Sequence, residues 1–408
     1  MTTDLGFGTA TPEEVGLSAD GLDRVDAAVR RKVDDGVLAG AVTLVARHGK
    51  VVRVNTMGDA RRFPRKPMRA DTIFRLFSMT KPVTGLAMGI LADQGRWRPD
   101  DAIADHLPEL RGLRVAAGTD ARGRLILQEP EHPPTMLELM THTAGFTYGR
   151  DRNDPADRIY RRLRPLRAGT LDDLVTRVAQ VPLAYQPGTK WRYSMAMDLQ
   201  GAIIERLSGQ SLPRFCREHI FRPLGMVDTD FHTPQDKLPR RAALYFRGGP
   251  FRLLPIRNPK YRDRDTDPPA AMGGMGLVST VDDYARFAQV LLNRGEWHGR
   301  RVVSAEAVDA QLTNHLPEAM LHPGFRTGHM HFRPGFGYGH NGAVVHDPAR
   351  AGARVGRGTY EWDGAAGTWF WVDPEHDLLY IGMIQLMSYS GPPMQKITQD
   401  LIADAILT

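Results

Sequence analysis

The stretch Phe77-Ser78-Met79-Thr80-Lys81 decides the interpretation of the chain, because it opens the most regular helical pattern in the sequence. Apolar residues follow it at the spacing of one helix face, at Val83, Leu86, Ala87, Ile90 and Leu91. This spacing predicts a helix over residues 79–94 with one apolar stripe, ended by Gly95. Ser78 is therefore expected at the N-terminus of the helix, with Lys81 one turn later on the same face.

A serine and a lysine in this arrangement are suited to nucleophilic catalysis. The partial positive charge and free N–H groups of a helix N-terminus favour negative charge on Ser78 Oγ and on a bound carbonyl oxygen. A serine hydroxyl needs a nearby base, and a desolvated Lys81 has a lowered pKa that suits this role. The same pattern also fits a helix-capping serine followed by a surface lysine, so Ser-x-x-Lys alone does not decide the question.

Length and composition exclude several classes of protein. The 408 residues predict roughly two domains, or one large domain with an insertion. Hydrophobic residues make up 42% and charged residues 25%, as in soluble globular proteins. No apolar run reaches the roughly eighteen residues that a membrane span needs. The single cysteine, Cys216, excludes an intrachain disulfide and a cysteine-based zinc site.

The net charge of +6 raises the question of a nucleic-acid or membrane partner. The basic residues are spread along the chain, and their one cluster, residues 150–167, is interrupted by Asp151, Asp154 and Asp157. No nucleic-acid-binding motif accompanies them, so we interpret them as a solvated surface and expect neither nucleic acid nor membrane as a partner. Residues 1–16 lack the basic and apolar regions of a secretion signal, and we expect a cytoplasmic protein.

The two ends of the chain carry similar patterns of helix and strand. Ser18 is suited to cap an N-terminal helix, and a helical pattern over residues 394–407 ends the chain. Each end also contains two β-branched runs that flank a turn, as a hairpin requires. The four runs are residues 42–46, 51–54, 368–372 and 378–386.

The middle of the chain has mostly helical patterns joined by loops rich in proline and glycine. We therefore predict an α+β fold, in which strands from both ends form one antiparallel sheet flanked by helices. The predicted domains are an α/β domain from residues 1–81 and 269–408 and a mostly helical inserted domain from residues 82–268. Residues 247–267 form a long charged loop that is either a lid or an ordered surface loop.

Two further segments contain residues suited to a catalytic cleft. Tyr193-Ser194-Met195 lies on a loop just before a predicted helix, where the Tyr193 phenol can point into a cleft. Trp362-Asp363-Gly364 precedes a predicted strand, and the small residues from Gly364 onwards allow a substrate to approach backbone N–H groups closely.

In chain order, Ser78-x-x-Lys81, Tyr193-Ser194-Met195 and Trp362-Asp363-Gly364 resemble the three motifs of the serine β-lactamase and penicillin-binding-protein superfamily. The pattern is most similar to the class C-like carboxylesterases known as family VIII esterases. Supporting sequence lies at residues 137–146, 273–280 and 370–374. The resemblance implies a β-lactamase/transpeptidase-like fold and a serine hydrolase that uses neither a metal nor an organic cofactor.

The resemblance also implies a role for each matching residue. Ser78 attacks the acyl carbon and forms an acyl-enzyme. Tyr193, as phenolate or in a shared-proton pair with Lys81, acts as base and then as acid toward the leaving alcohol. Lys81 keeps the pKa of the tyrosine low and relays protons. The backbone N–H groups of Ser78 and Ala365 form the oxyanion hole.

Two residues depart from the motifs of class C β-lactamases. Met195 stands where those enzymes have an asparagine that binds an amide, and Asp363 lies in a motif that is usually Lys-Thr-Gly, or Trp-Gly-Gly in the related esterases. Asp363 either orients a polar or cationic substrate group or is a solvent-facing residue of the strand, and we favour the second. Both departures favour a neutral, fairly apolar ester over a β-lactam. The residues expected to contact substrate are Trp362, Asp363, Gly364, Met195 and Tyr148.

Several histidines, one glycine-rich segment and four aromatic residues are further candidates for the site. His142 precedes a turn and is expected to be structural. His329 and His331 have the spacing of metal ligands, but no third ligand is recognisable nearby, so we expect no metal. His340 is a candidate for the lining of the cleft, and residues 273–276 predict a tight bend near it. The aromatic candidates for an acyl pocket are Tyr148, Tyr185, Trp191 and Trp362.

The leading hypothesis is a carboxylesterase that hydrolyses small, short-acyl esters. The alternatives are an acyltransferase with the same chemistry, an amide or β-lactam hydrolase on the same fold, and a non-catalytic binding protein. The presence of Ser78, Lys81 and Tyr193 together argues against the last of these, because a pseudoenzyme does not need all three. The sequence leaves the physiological substrate, the stereoselectivity and the oligomeric state open.

Overall fold

The structure, a computed structural model, describes residues 7–249, 252–256, 267–321, 326–327, 330–331, 334–387 and 394–407. His329, the side chain of His331 and most of the 247–267 loop lie outside the described residues. The helices are α1 (Ala19–Asp34), α2 (Thr80–Asp93), α3 (Ile103–His106), α4 (Met136–Met140), α5 (Pro155–Leu163), α6 (Leu171–Val178), α7 (Ala196–Ser208), α8 (Leu212–Cys216), α9 (Arg222–Leu224), α10 (Val281–Leu292), α11 (Ala305–Leu312), α12 (Pro348–Ala351) and α13 (Met394–Ala403). The strands are β1 (Gly8–Thr9), β2 (Gly40–Arg47), β3 (Lys50–Arg61), β4 (Lys66–Pro67), β5 (Phe74–Arg75), β6 (Val115–Thr119), β7 (Leu125–Gln128), β8 (Tyr245–Arg247), β9 (Leu253–Pro255), β10 (Val278–Ser279), β11 (Glu296–Trp297), β12 (Arg300–Arg301), β13 (Arg326–Thr327), β14 (Met330–His331), β15 (Phe336–Tyr338), β16 (Ala343–Val345), β17 (Thr359–Asp363), β18 (Trp369–Asp373), β19 (Leu378–Met383) and β20 (Leu386–Met387).

One large sheet joins the two ends of the chain. Its strand order is β1-β3-β2-β19-β18-β17-β16-β15, and β4 also pairs with β3. These pairs are antiparallel except for β1 with β3, and Val45 lies opposite Tyr380 where the N- and C-terminal strands meet. The predicted α+β fold, with one antiparallel sheet built from both ends of the chain, is confirmed.

Helices cover both faces of this sheet. Every residue of β19 is buried, although alternate side chains of a strand point to opposite faces. Trp369 donates from Nε1 to Thr398 Oγ1 of α13 at 3.2 Å, whereas the next residue, Phe370, packs against Tyr284 of α10 with ring centres 5.0 Å apart. α13 in turn packs on α1. The sheet is therefore a middle layer, with α1 and α13 on one face and α10 on the other.

Short-range signals account for several element boundaries. Ser18 caps α1 as predicted, and its Oγ accepts the Gly21 N–H at 3.1 Å. The turn between β2 and β3 contains Gly49 at φ 68°, a backbone conformation that favours glycine. At the start of α4, Thr135 and Glu138 form a reciprocal capping box. Each of these features depends on residues within three positions of one another.

Helix α2, which follows Ser78, lies deeper than its sequence pattern indicates. Its residues from Thr80 to Leu91 are all buried, because α7 and α11 pack against it, so the expectation of one buried stripe is corrected to a helix buried on all sides. Ser78 belongs to a 3₁₀ turn, Phe77–Met79, that precedes α2, and Gly95 follows the helix at φ 66°. Lys81 is thereby removed from solvent.

Between the strands from the two ends, the chain supplies α2 to α9 and the small hairpin of β6 and β7. The division into domains of residues 1–81 with 269–408 and of residues 82–268 stays a prediction. In the described ranges, no helix combines the length and the apolar character that crossing a bilayer requires.

Candidate active site

Ser78 lies in a strained turn at the entrance to α2. The preceding residue, Phe77, has φ 48°, in the left-handed region that residues with side chains rarely adopt. Leu76 is fixed by a hydrogen bond from its N–H to Leu277 O at 2.9 Å. Gly364 lies against the Leu76 carbonyl, since a Cβ atom on Gly364 would be 2.2 Å from that oxygen. The turn therefore presents Ser78 between the start of α2 and the end of β17.

The structure brings the three predicted catalytic side chains together. Tyr193 OH donates a hydrogen bond to Ser78 Oγ at 2.7 Å, and Lys81 Nζ lies 3.2 Å from the same Oγ atom. Lys81 also donates to Gly274 O at 2.7 Å, and its Nζ is 4.7 Å from the centre of the Tyr193 ring. Ser78 Oγ is thus within hydrogen-bonding distance of two groups that can carry a proton.

Lys81 is fully buried, and burial lowers its pKa to about 7. The negative charge of Asp198, on the first turn of α7, opposes this shift, whereas the positive charge of Arg150 adds to it. Asp198 is itself buried, and burial raises the pKa of its carboxyl while Lys81 lowers it. A lysine with a pKa near neutrality can accept the proton of a serine hydroxyl, which an ordinary surface lysine cannot.

Burial shifts the pKa of Tyr193 in the direction opposite to that of Lys81. It raises the pKa of the phenol above its ordinary value, and the hydrogen bond with Ser78 lowers that pKa by less. The resting site therefore contains a neutral phenol beside a readily deprotonated lysine. The direction of this shift favours a protonated phenol over the predicted Tyr193 phenolate, and the alternative of a proton shared with Lys81 stays a prediction. The physical reason is that deprotonation creates a buried charge on a tyrosine but removes one from a lysine.

Two charged residues of the site, Asp198 and Arg150, were not predicted from the sequence. Asp198 is an acidic residue at the start of an otherwise mostly apolar helix, and that unusual position is the signal by which it could be found. Arg150 is exposed, but its guanidinium carbon lies 5.0 Å from the centre of the Tyr193 ring and 5.4 Å from that of Tyr148. In the sequence, nothing distinguishes Arg150 from the other arginines of the 150–167 cluster.

The third motif lies at the end of β17, beside the nucleophile. Trp362 is buried, and its ring centre is 5.7 Å from that of Tyr193. Asp363 is partly buried, and burial raises its pKa to about 6, while the charges of Lys81 and Arg150 lower it. Asp363 keeps part of its surface exposed, so its interpretation as a solvent-facing residue of the strand stays a prediction.

Two backbone N–H groups near Ser78 have no hydrogen-bond acceptor among the described residues, and they belong to Ser78 and Ala365. Ala365 is exposed, and its neighbour Gly364 touches the turn before Ser78. The Gly364 N–H donates to Thr368 O at 2.7 Å, which fixes the turn that carries Ala365. Free N–H groups beside a serine nucleophile are what an oxyanion hole requires.

The other predicted substrate contacts occupy two kinds of position. Tyr148 and Trp191 are partly exposed beside the catalytic tyrosine, with ring centres 5.3 Å and 6.3 Å from that of Tyr193. Met195 is 1% exposed at the start of α7, and Tyr185 is also buried. Tyr148 and Trp191 are therefore accessible to a ligand, whereas Met195 and Tyr185 are buried below the surface of the site.

Two of the candidate histidines, His142 and His340, lie in the described residues, and neither side chain forms a hydrogen bond with Ser78 Oγ there. His142 has φ 61° and accepts the Ser194 N–H at Nδ1, 3.2 Å away, and its ring lies 4.9 Å from that of Tyr193. Burial lowers the pKa of His142 well below its usual value, so the ring is neutral support for the tyrosine. His340 stacks on His315 with ring centres 4.8 Å apart, and burial lowers its pKa to about 3.

The glycine-rich segment 273–276 forms a tight bend in the site, as predicted. Gly273 O accepts a hydrogen bond from Thr84 Oγ1 at 2.7 Å. A Cβ atom on Gly273 would lie 2.3 Å from Met197 O, so this residue has no room for a side chain between α2 and α7. The next residue, Gly274, then reaches Lys81 with its carbonyl.

Within the described ranges, one group of side chains has the composition of a cation site, namely Asp230, His232 and Asp267. Arg217 forms ion pairs with both carboxylates and supplies positive charge between them. We therefore interpret the group as an ion-pair network.

The chain is similar to known proteins over most of its length. A family model described as Beta-lactamase matches residues 25–405. The chain is 37% identical to Protein Rv1367c of Mycobacterium tuberculosis over 369 residues, which cover 89% of this chain and 90% of that protein. It is 32% identical to Esterase EstB of Burkholderia gladioli over 374 residues, which cover 86% of each. The solved structure of EstCE1, described as a hydrolase with promiscuous acyltransferase activity, matches with a TM-score of 0.77 and 27% identity over 94% of this chain and 98% of that one.

Proposed function

The chain belongs to the beta-lactamase family and is a serine hydrolase, and from this premise we propose that it is a carboxylesterase of small, short-acyl esters. The observation that carries the proposal is the position of Ser78 Oγ, 2.7 Å from Tyr193 OH and 3.2 Å from Lys81 Nζ. With the pKa of Lys81 at about 7, a proton acceptor and a proton donor both reach the nucleophile near neutral pH.

In acylation, the amine of Lys81 acts first as the base, and the phenol of Tyr193 then acts as the acid. The neutral amine of Lys81 accepts the hydroxyl proton of Ser78 as Oγ forms a bond to the acyl carbon. The bond to the leaving alcohol then breaks, and the departing oxygen takes the proton of the Tyr193 phenol. Lys81 returns its proton to Tyr193, which leaves an acylated serine, a free alcohol and the original protonation of both groups.

Deacylation repeats the sequence with water as the nucleophile. Lys81 accepts a proton from the attacking water, and Ser78 Oγ leaves with the proton of Tyr193. The tetrahedral intermediate of each step carries a negative oxygen, which we assign to the free N–H groups of Ser78 and Ala365. No step requires the side chain of another residue to change its charge.

The choice of a short-acyl ester is supported by the walls of the site. The partly exposed rings of Tyr148 and Trp191 lie beside Tyr193 and offer an apolar surface near the nucleophile, and the buried ring of Trp362 packs on Tyr193 behind them. Met195 is buried and apolar, so it supplies no hydrogen bond to the side-chain amide of a β-lactam. The relative EstB is named an esterase, in agreement with this choice.

Acyl transfer is the second candidate, and EstCE1, with its promiscuous acyltransferase activity, favours it. An alcohol or amine that reaches the acyl-enzyme before water gives a new ester or amide by the same proton transfers. Product analysis after incubation with a p-nitrophenyl ester and an added alcohol measures the share of transfer. A new ester at a few per cent of the acid would leave hydrolysis as the main reaction.

The proposal is tested by covalent labelling and substrate profiling. A fluorophosphonate probe should label the protein and fail to label Ser78→Ala, whereas Ser211→Ala, an exposed serine at the start of α8, should label normally. p-Nitrophenyl acetate should be hydrolysed faster than p-nitrophenyl octanoate. Labelling without turnover of either ester, or faster hydrolysis of the β-lactam nitrocefin, would contradict the esterase assignment.

A further inference from the structure

We propose that Arg150 binds a carboxylate in the acyl part of the substrate, so that the enzyme prefers the half-ester of a dicarboxylic acid to a neutral ester of the same shape. The inference rests on the proposed esterase function and names the class of substrate that this site selects. Arg150 determines specificity in this role and takes no part in the making or breaking of bonds.

Arg150 is positioned over the catalytic tyrosine. Its guanidinium carbon lies 5.0 Å from the centre of the Tyr193 ring and 5.4 Å from that of Tyr148. The hydroxyl group of the same Tyr193 ring is 2.7 Å from Ser78 Oγ. Because one ring contacts both the cation and the nucleophile, a small acyl group on Ser78 can extend along it to the guanidinium.

The backbone on both sides of Arg150 is fixed by one buried carboxylate. The Gly149 N–H donates to Asp157 Oδ1 at 2.8 Å, and the Asp151 N–H donates to Asp157 Oδ2 at 2.7 Å. The side chain of Asp157 is fully buried and forms an ion pair with Arg192. Gly149 has φ 72°, a conformation that favours glycine. The loop therefore holds the backbone of Arg150 in a defined position beside the cleft.

The guanidinium keeps its hydrogen-bond donors for a ligand. Within the described ranges, Arg150 forms no ion pair and its side chain donates no hydrogen bond; its contacts are with the two rings. Contact with aromatic rings uses none of the five N–H groups, and two of these can bind both oxygens of a carboxylate. An exposed arginine without a partner is common on protein surfaces, so the inference depends on the position of this one over the catalytic ring.

The acyl part is the side of the ester that this position favours. Tyr148 and Trp191 are the partly exposed rings that offer an apolar surface near the nucleophile, and Arg150 is the exposed residue that lies against Tyr148. An acyl chain that packs on this surface meets a cation at its far end. A chain that ends in a carboxylate therefore fits both the apolar surface and the charge beside it.

The charge of Arg150 also acts on the catalytic groups themselves. It lowers the pKa of Lys81 and that of Tyr193. An effect through these two groups would change the rates of neutral and anionic esters by the same factor, whereas a binding role changes the ratio between them. The measured quantity is therefore the ratio of kcat/KM values, taken at pH 8, where Lys81 with its pKa of about 7 is mostly neutral and the substrate carboxylate is ionised.

Two pairs of substrates separate a carboxylate in the acyl part from one in the alcohol part. The acyl pair is monoethyl glutarate and its neutral analogue, in which a carboxamide replaces the free carboxylate. The alcohol pair is 4-acetoxybenzoate and 4-acetoxybenzamide. Wild-type protein should prefer monoethyl glutarate to its amide by about tenfold. A preference confined to the alcohol pair would overturn the inference.

Arg150→Gln should remove the preference for monoethyl glutarate. Arg150→Lys keeps the charge without the planar fork and should retain part of the preference. Arg158→Gln, at an exposed arginine of α5 in the same basic cluster, removes the same charge elsewhere and should keep the wild-type ratio. An unchanged ratio in Arg150→Gln, or an equal loss in Arg158→Gln, would contradict a binding role for Arg150.

A binding measurement separates failure of this inference from failure of the esterase assignment. Glutarate should slow fluorophosphonate labelling of Ser78 more than glutaramide does, and Arg150→Gln should abolish the difference. If no ester is turned over but glutarate protects in this way, the carboxylate site stands and the esterase proposal fails. If esters are hydrolysed and neither glutarate nor monoethyl glutarate is distinguished from its amide, the carboxylate site fails alone.

Discussion

Lys81 and Asp198 are held by the two sides of one residue: Gly274 O accepts a hydrogen bond from Lys81 Nζ at 2.7 Å, and the Gly274 N–H donates to Asp198 Oδ1 at 2.9 Å. Among the described residues, no direct ion pair joins the two charges. Asp198 therefore raises the pKa of Lys81 through space without capturing its amine. The amine stays free to reach Ser78.

The pH dependence of hydrolysis follows from this arrangement. For a neutral ester, kcat/KM should fall as the pH decreases through the Lys81 pKa of about 7, because protonated lysine cannot accept the serine proton. Asp198→Asn removes the charge that favours the protonated amine, so the acidic limb should move to lower pH. pH–rate profiles measure the shift, and Glu205→Gln, another carboxyl of α7, should leave the limb in place. An unmoved limb in Asp198→Asn would exclude this role for Asp198.

Tyr193→Phe tests the assignment of the phenol as a proton donor. Hydrolysis of a simple alkyl ester should slow by about 10²- to 10⁴-fold, because its alkoxide needs a proton to leave. A p-nitrophenyl ester should slow much less, since p-nitrophenolate leaves without protonation. Steady-state kinetics with both esters provide the comparison. Equal losses would instead indicate that Tyr193 removes the proton from Ser78.

Lys81→Met separates catalysis from stability. Hydrolysis should fall by about 10²- to 10⁴-fold, because the proton acceptor is lost. The free energy of unfolding should not decrease, because the variant no longer has to bury an amine and methionine fills a similar volume. Urea denaturation and ester kinetics give the two values. Lys190→Met, at an exposed lysine, should preserve activity, and a strongly destabilised Lys81→Met would contradict the expected balance.

Gly364→Ala tests the contact between β17 and the nucleophile turn. The new Cβ atom would lie 2.2 Å from Leu76 O and 2.3 Å from Thr368 Oγ1, so the backbone must shift. We expect a loss of about 1–3 kcal/mol in the free energy of unfolding, together with a marked fall in activity. Gly169→Ala, where the added atom meets nothing within 4 Å, is the control and should be near neutral in both assays. Unchanged activity in Gly364→Ala would remove this contact from the placement of Ser78.

Much of the fold follows from patterns within a few residues. The Ser18 cap, the hairpin around Gly49 and the alternation of helices and strands at both ends are visible in the sequence and occur in the structure. The catalytic group was identified from three separated motifs, and Ser78, Lys81 and Tyr193 meet as expected. These features depend on local hydrogen bonding or on a recognisable set of residue types.

The sequence predicted that Ser78, Lys81 and Tyr193 meet, whereas the electrostatic surroundings of these three side chains depend on the packing of distant segments. The spacing of Lys81 after Ser78 does not reveal that α7 and α11 bury helix α2 on all sides. Burial lowers the pKa of Lys81 and raises the pKa of Tyr193. Nor does this spacing place Asp198 behind Gly274. Desolvation and Coulomb interactions sum over neighbours from distant segments, and their positions exist only once the chain has folded.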